Sequence, residues 1–206
     1  MTATQKVPRR QQILEALASE LEINPGSPIT TAGLARAVGI SEAALYRHFP
    51  SKAKMFEALI EFCEETIFGL TNRIQNEERG SINRCQQLVK LMLGFSERNP
   101  GITRILLGDA LVGENERLRI RVSQFYERLE TQLKQFIREG VLHGELPEET
   151  PVNAIANMTL SLAEGRMSQF VRSEFKRKPT DMLDQQWEMM TAWVMDVDTI
   201  MHKEAI

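Results

Sequence analysis

Two cysteines, three histidines and no long apolar run narrow what this 206-residue chain can be. Cys63 and Cys85 each sit in an apolar pattern that is typical of buried thiols. The histidines are far apart and have no partner at ligand spacing, so we expect no metal site and no cofactor. No apolar run approaches the ~18 residues that span a membrane, and the first residues hold no secretory signal. We therefore expect a cytoplasmic protein without membrane contact.

Aromatic residues are also scarce, at 6% of the chain, and apolar residues do not alternate strictly with polar ones. Both absences argue against β-sheet, whereas helical spacing of apolar residues runs through most of the chain. No nucleophile with a base, and no carboxylate pair, can be recognised, so we expect no enzyme. The pattern predicts an all-α protein of about nine helices, with a small three-helix unit followed by a larger helical body.

Turn residues and capping residues predict where the helices end. NPGSP at residues 24–28 ends the first helix, since glycine and proline break helices. Gly39 separates a second helix, capped by Thr30 or Thr31, from a third helix capped by Ser41. Further predicted boundaries are a cap at Ser81, a sixth helix ending near Val112, a stop at Gly140, an eighth helix ending near Phe175 and a cap at Thr180.

Residues 38–49, VGISEAALYRHF, are typical of a helix-turn-helix, because a glycine turn joins two short helices. Leu45 and Phe49 are spaced to face inward, which leaves Ala43 and Arg47 on the opposite side. Small side chains at the N-terminal end of that face would allow close approach to base edges. The alternative is an ordinary helical corner with a solvated arginine.

Charge is distributed in a way that favours DNA binding by the N-terminal region. Residues 1–54 hold seven Lys and Arg against four Asp and Glu, a net charge of +3, while residues 55–206 carry a net charge of −6. Lys52 is predicted at the start of the fourth helix, where a cation opposes the helix dipole. We interpret it as facing an external anion.

The stretch ITTAGLARAVGISEAALYRHFPSKAKMFEALIEF resembles the DNA-binding domain of the TetR family of bacterial regulators, over about residues 9–62. The resemblance implies an all-helical homodimer that is joined through its last two helices. A dimer would read palindromic double-stranded DNA. We expect a DNA-binding domain at residues 1–54 and a regulatory and dimerisation domain at residues 55–206. By resemblance, the residues that would contact phosphate are Thr31, Tyr46, His48 and Lys52. Those that would face the bases are Glu42, Ala43, Ala44 and Arg47. Backbone or minor-groove contacts would be added by Lys6, Arg9 and Arg10.

Three later stretches resemble the nucleoid occlusion branch of that family: GFSERNPGITRIL (94–106), ENERLRIRVSQFYERLETQL (114–133) and QFVRSEFKRKPTDMLDQQW (169–187). The resemblance implies a nucleoid-associated protein that antagonises assembly of the tubulin-like division GTPase FtsZ while it is bound to DNA. It also implies a partner groove between the fourth and fifth helices. The matching positions are Phe62, Leu91, Gly94, Arg98 and Asn99. Without the resemblance, Phe62 and Leu91 would be interpreted as core and Arg98 as a solvated charge.

One position departs from the pattern of this branch. Leu70 stands where a basic residue is expected, and Arg73 follows nearly one turn later. A partner contact through the fourth helix is therefore either lost or rearranged.

The segment MTLSLAEGRMSQF, residues 158–170, mixes small residues with large apolar ones. Small residues allow helices to approach closely and methionine fills irregular gaps, which favours a dimer interface and core. The alternative is a methionine-lined ligand pocket, which would make the protein a ligand-responsive transcriptional repressor.

Overall fold

The computed structural model of the protein describes residues 7–24 and 27–195. Within those residues it contains nine α-helices, one short 3-10 turn and no β-strand, so the predicted all-α fold is confirmed. The helices are α1 (Arg9–Ile23), α2 (Thr31–Val38), α3 (Glu42–His48), α4 (Lys52–Glu77), α5 (Ser81–Arg98), α6 (Pro100–Leu106), α7 (Glu116–Leu142), α8 (Val152–Arg172) and α9 (Leu183–Met195), and the 3-10 turn is Asp109–Leu111.

The chain folds into two compact units. The first holds the described residues up to 65 together with 98–123, and the second holds 66–97 together with the described residues from 124 onward. Helices α4 and α7 contribute residues to each unit. The described part of the expected DNA-binding domain, residues 1–54, lies wholly in the first unit. Its functional boundary after residue 54 stays a prediction.

The apolar stripe of α1 builds the core of the first unit. Ile13, Leu17 and Leu21 are buried, and α1 packs against α2, α3 and α6. Leu45 and Phe49 are also buried, which agrees with the spacing in the sequence. Burying five such side chains stabilises the unit, since each contributes roughly 1.5–3 kcal/mol relative to full exposure.

Helix α6 lies against α1 at very close range because residue 101 is glycine. A Cβ atom at Gly101 would come within 2.1 Å of the carbonyl oxygen of Ala18. The buried Arg104 adds a hydrogen bond from its guanidinium to the carbonyl of Leu21, at 2.6 Å. The predicted sixth helix is shorter than expected, since it ends at Leu106 and is followed by Gly108 with a φ of 81°.

In the second unit, the prediction that Gly140 closes α7 is wrong. The helix continues through Gly140 to Leu142. Glycine is required there because a Cβ atom would come within 2.2 Å of the Ser81 hydroxyl oxygen. Ser81 is also the first residue of α5 rather than its cap, and its backbone N–H donates to Glu145 at 2.6 Å. A glycine that looked like a stop is therefore a point of close packing between two segments.

The connection between α8 and α9 is organised by Arg166. This buried guanidinium donates to the backbone carbonyls of Lys178, Pro179 and Asp181. Helix α8 ends at Arg172, three residues before the predicted end, because the chain then enters the left-handed region at residues 174 and 175. Helix α9 begins three residues after the predicted cap at Thr180.

Candidate nucleic-acid interface

The helix-turn-helix is built as the sequence predicts. The side chain of Thr30 caps α2 by accepting from the backbone N–H of Gly33, and Ser41 caps α3 by accepting from that of Ala44. Gly39 has a φ of 70°, which is a left-handed conformation that glycine adopts without strain. The Ile40 N–H donates to the Ala35 carbonyl at 2.9 Å, so the turn closes α2 and leads directly into α3.

Helix α3 presents one face to solvent. Glu42, Ala43, Arg47 and His48 are exposed, Tyr46 is 44% exposed, and Ala44 is half-buried. The opposite side is anchored by Leu45, which is fully buried. Small side chains therefore lie at the start of the exposed face and basic ones at its end. This arrangement suits a helix that enters the major groove with its N-terminal residues toward the bases.

Three of the predicted DNA-contacting residues are joined by hydrogen bonds. The Thr31 hydroxyl donates to the Glu42 carboxylate at 2.8 Å, and the Tyr46 hydroxyl donates to Thr31 at 3.4 Å. These bonds connect the start of α2 to both ends of α3. They place the carboxylate of Glu42 and the phenol of Tyr46 at the edge of the exposed face.

Lys52 is the first residue of α4, and it does have an anion close by. Its ammonium group forms an ion pair with the Glu114 carboxylate and donates to the Ile29 carbonyl at 3.1 Å. The sequence argument that only an external anion explains a cation at this helix start was therefore wrong, because Glu114 supplies an internal one. The phosphate contact of Lys52 stays a prediction.

The N-terminal basic residues take part in packing within the first unit. Arg9 donates to the Val38 carbonyl at 3.3 Å, at the end of α2. The Arg10 guanidinium lies 4.8 Å from the centre of the Phe49 ring, in a cation–π arrangement. Lys6 lies outside the described residues. The proposed DNA contacts of all three residues stay predictions.

Sequence reasoning missed Glu114, whose carboxylate forms the ion pair with Lys52. It belongs to a stretch that resembles the family, yet nothing in its spacing relates it to Lys52. Its side chain is only 16% exposed, as a carboxylate held against a lysine should be. Only the folded chain brings these two charges together.

Two of the predicted partner-binding residues meet in the first unit. Phe62 and Asn99 line one cavity of about 400 Å³, together with Leu14, Ala18 and Ile102. The Phe62 side chain is 47% exposed, which is high for a phenylalanine and shows that it is not a core residue. Arg98 is also exposed, whereas Asn99 directly precedes α6 and is half-buried.

Leu91 lines a groove of the second unit, with a volume of about 370 Å³, whose walls come from α4 and α5. Leu70 and Arg73 line the same groove, so the residue pair that departs from the family pattern faces this space. Lys90 lines it as well, beside Leu91. Gly94 lies one turn further along α5 and is half-buried.

The two thiols do not serve as nucleophiles. Both cysteines are free and buried. Burial raises the pKa of Cys85 to about 12, and burial together with the nearby charge of Glu64 raises the pKa of Cys63 well above its usual range. Neutral, enclosed thiols behave as small apolar groups. Among the described residues, no three His, Cys, Asp or Glu side chains are grouped so as to hold a metal ion.

None of the helices in the described part of the chain is both long enough and apolar enough to span a membrane.

Comparison with known proteins identifies the family of the chain. The family of bacterial regulatory proteins named tetR matches residues 13–59, and the SlmA-like C-terminal domain, described as tetracyclin repressor-like, matches residues 79–194. The nucleoid occlusion factor SlmA of Shewanella pealeana is 56% identical over 190 residues, which is 92% of this chain and 96% of that protein. The one from Alteromonas mediterranea is 57% identical over 187 residues, or 91% and 96%.

The chain belongs to the TetR family of bacterial regulators, in the group of the nucleoid occlusion factor SlmA. The resemblance recognised in the sequence is confirmed. Proteins of the TetR family are DNA-binding regulators rather than enzymes, and they typically act as dimers.

Solved structures of two regulators share the fold at low sequence identity. The regulator MbdR from Azoarcus sp. superposes with a TM-score of 0.76 at 15% identity, over 89% of this chain and 97% of that one. A TetR transcription regulator from Haloarcula marismortui gives a TM-score of 0.73 at 18% identity, over 92% and 97%. At such identities the likeness concerns the fold alone.

Proposed function

We propose that this chain is a nucleoid occlusion factor: a homodimer that binds palindromic double-stranded DNA on the nucleoid and, while bound, antagonises FtsZ assembly. The observation that carries the proposal is the exposed face of α3 in a chain more than 50% identical to proteins named nucleoid occlusion factors. Nothing in this proposal requires a cofactor.

On DNA, we assign two roles to the residues of the interface. Thr31, Tyr46, His48 and Lys52 contact phosphates and fix the register of the protein on the duplex. Glu42, Ala43, Ala44 and Arg47 face the bases, where an arginine pairs best with guanine and a carboxylate with the amino group of cytosine. Two such faces in a dimer would read half-sites about 34–36 Å apart or a multiple of that distance.

Dimerisation is assigned to α8 and α9. The small residues of α8 divide into two sets, because Ala163 is buried within its own chain while Ser161 and Gly165 are exposed. A Cβ atom at Gly165 would meet nothing within 4 Å, so this side of α8 leaves room for a helix of the second copy. The buried Leu160, Met167 and Phe170, by contrast, belong to the core of the protomer.

Partner contact is assigned to the residues that match the family's groove: Phe62, Leu91, Gly94, Arg98 and Asn99. In the first unit, the exposed ring of Phe62 and the apolar cavity beside it suit an apolar side chain of FtsZ. In the second unit, Leu70 and Leu91 suit apolar residues of a peptide. Acidic residues of that peptide would have to displace Glu77 from Arg73 and Asp184 from Lys90, since both cations are in ion pairs. Arg73 replaces the cation that is missing at Leu70, which rearranges this contact instead of abolishing it.

The test has two stages that use the same purified protein. Random duplexes are first selected for binding, and polymerisation of FtsZ is then followed by light scattering with and without the selected duplex. We expect a palindromic site, and inhibition of polymers only when that site is present. A selected site with no effect on polymers would leave DNA binding standing and overturn nucleoid occlusion in favour of a ligand-responsive repressor.

A further inference from the structure

Lys52 lies at the edge of the DNA-binding face, yet its charge is already satisfied inside the protein. The ammonium is in an ion pair with Glu114 and donates to the Ile29 carbonyl at 3.1 Å. The side chains are 28% and 16% exposed, so solvent reaches this pair only in part. An ammonium group has three donors, and two of them are used in these contacts.

Glu114 belongs to a short connection rather than to a helix. It follows Gly113, whose φ is 79°, and it lies between the 3-10 turn and the start of α7. Its backbone N–H donates to the Leu111 carbonyl at 3.1 Å. Val112 beside it is exposed. A carboxylate on such a connection can turn away from Lys52 without disturbing a packed helix.

We propose that Glu114 competes with DNA phosphate for Lys52 and thereby lowers the affinity of the protein for DNA. The inference rests on the proposed phosphate contact of Lys52. A phosphate that approaches Lys52 also approaches the carboxylate of Glu114, and two anions at one ammonium repel each other. Binding therefore either displaces Glu114 or retains that repulsion, and each outcome weakens the complex relative to a chain without this carboxylate.

The first measurement is the affinity for the selected duplex of the variant Glu114→Gln, which keeps the size of the side chain and removes its charge. We expect binding about two- to fivefold tighter than wild type, from the typical strength of a partly exposed ion pair. The matched control is Glu116→Gln, an exposed glutamate two residues away that loses the same charge. The DNA affinity of Glu116→Gln should differ from that of the wild type by less than half as much as the DNA affinity of Glu114→Gln does. Equal effects of the two variants would overturn the proposal.

A double-mutant cycle separates competition from a structural role. Lys52→Gln alone should weaken binding to all duplexes and reduce the salt slope by about 1. In the Lys52→Gln background, Glu114→Gln should not change DNA affinity, because the ammonium group for which Glu114 and phosphate compete is gone. An undiminished gain in that background would refute competition. So would weaker binding by Glu114→Gln alone, since Glu114 would then hold Lys52 in position for phosphate.

Hydrogen exchange reports on the displacement of Glu114. With the wild-type protein, adding the selected duplex should speed exchange of the backbone amides at residues 111–115, since the connection loses its contact with Lys52. In Glu114→Gln these amides should already exchange quickly and respond little to DNA. Slower exchange on DNA in the wild type would contradict both displacement of Glu114 and repulsion between Glu114 and phosphate, because it would show that the connection becomes more stable.

Failure of this inference can be told from failure of the proposed function. If the wild type selects no duplex, DNA binding itself fails. If it selects a site and Glu114→Gln binds that site no tighter than Glu116→Gln, only the competition at Lys52 is wrong.

Discussion

The proposed DNA-binding face and the proposed partner-binding residues differ in how the chain assembles them. Most of this face comes from residues 31–48, and the side-chain hydrogen bonds within that stretch join residues at most fifteen positions apart. Two of the partner residues, Phe62 and Asn99, line one cavity although they lie 37 positions apart in the sequence. A local motif can be recognised from spacing alone, whereas a surface of this second kind depends on how helices pack.

The largest effect is expected from a change that damages only the DNA face. Ala43→Glu places a bulky anion on the exposed face of α3, next to the phosphates and base edges. Specific binding should fall by about 100-fold or more, since one unfavourable contact typically costs ~1–3 kcal/mol and like charge adds to it. Binding is measured by fluorescence anisotropy on the selected duplex.

The control for that experiment is Ala37→Glu, the same change at an exposed alanine of α2. Both variants should melt at the wild-type temperature and still bind an FtsZ peptide. Unchanged specific affinity in Ala43→Glu would show that α3 does not enter the groove with this face.

The close contact between α1 and α6 gives the next largest effect. Gly101→Ala forces a methyl group against the carbonyl of Ala18, and overpacking of this kind typically costs ~1–3 kcal/mol. Urea unfolding followed by circular dichroism measures the loss. Because α1 packs against α2 and α3, DNA affinity should fall as well.

Gly69→Ala is the matched control for Gly101→Ala, since a Cβ atom there would meet nothing within 4 Å. That variant should gain up to ~1 kcal/mol, because alanine favours the helix more than glycine does. A stable Gly101→Ala protein would mean that α6 can shift along α1.

A smaller effect, on partner binding and not on DNA binding, should come from Phe62→Ala. The variant loses the exposed ring beside the apolar cavity, so affinity for an FtsZ peptide should fall about tenfold, which corresponds to ~1.4 kcal/mol. Calorimetry measures the peptide affinity, and DNA binding should remain at the wild-type level. Ile120→Ala, which removes another exposed apolar side chain, should leave both activities unchanged.

The smallest effect is expected from Tyr46→Phe. This change removes one hydroxyl, which donates to Thr31 and which we assign to phosphate, so affinity should fall about three- to tenfold. The loss should be similar for every duplex, since phosphate contacts carry no sequence information. A changed base preference in repeated selection would instead give Tyr46 a role in reading bases.

Sequence reasoning succeeded for the helix-turn-helix because its determinants are local. Gly39 sits in a left-handed turn, Ser41 caps α3, and Leu45 is buried, all as expected from spacing within a few residues. It was less reliable at the ends of α6, α7 and α8. Helices α6 and α8 end where the backbone that follows is left-handed, and Gly140 lies inside α7 because Ser81 of another segment leaves no room for a side chain.

The sequence by itself determined the all-helical fold and the position of the helix-turn-helix, because helix periodicity, capping and turn chemistry act between near neighbours. The family followed from the resemblance of several stretches to known regulators. Only the tertiary structure decided that Glu114 holds Lys52, that Gly101 lets α6 approach α1, and that Phe62 is exposed beside a cavity. These three features join segments far apart in the chain. Close packing and ion pairing depend on distances of a few ångströms, which arise only when the helices are in place.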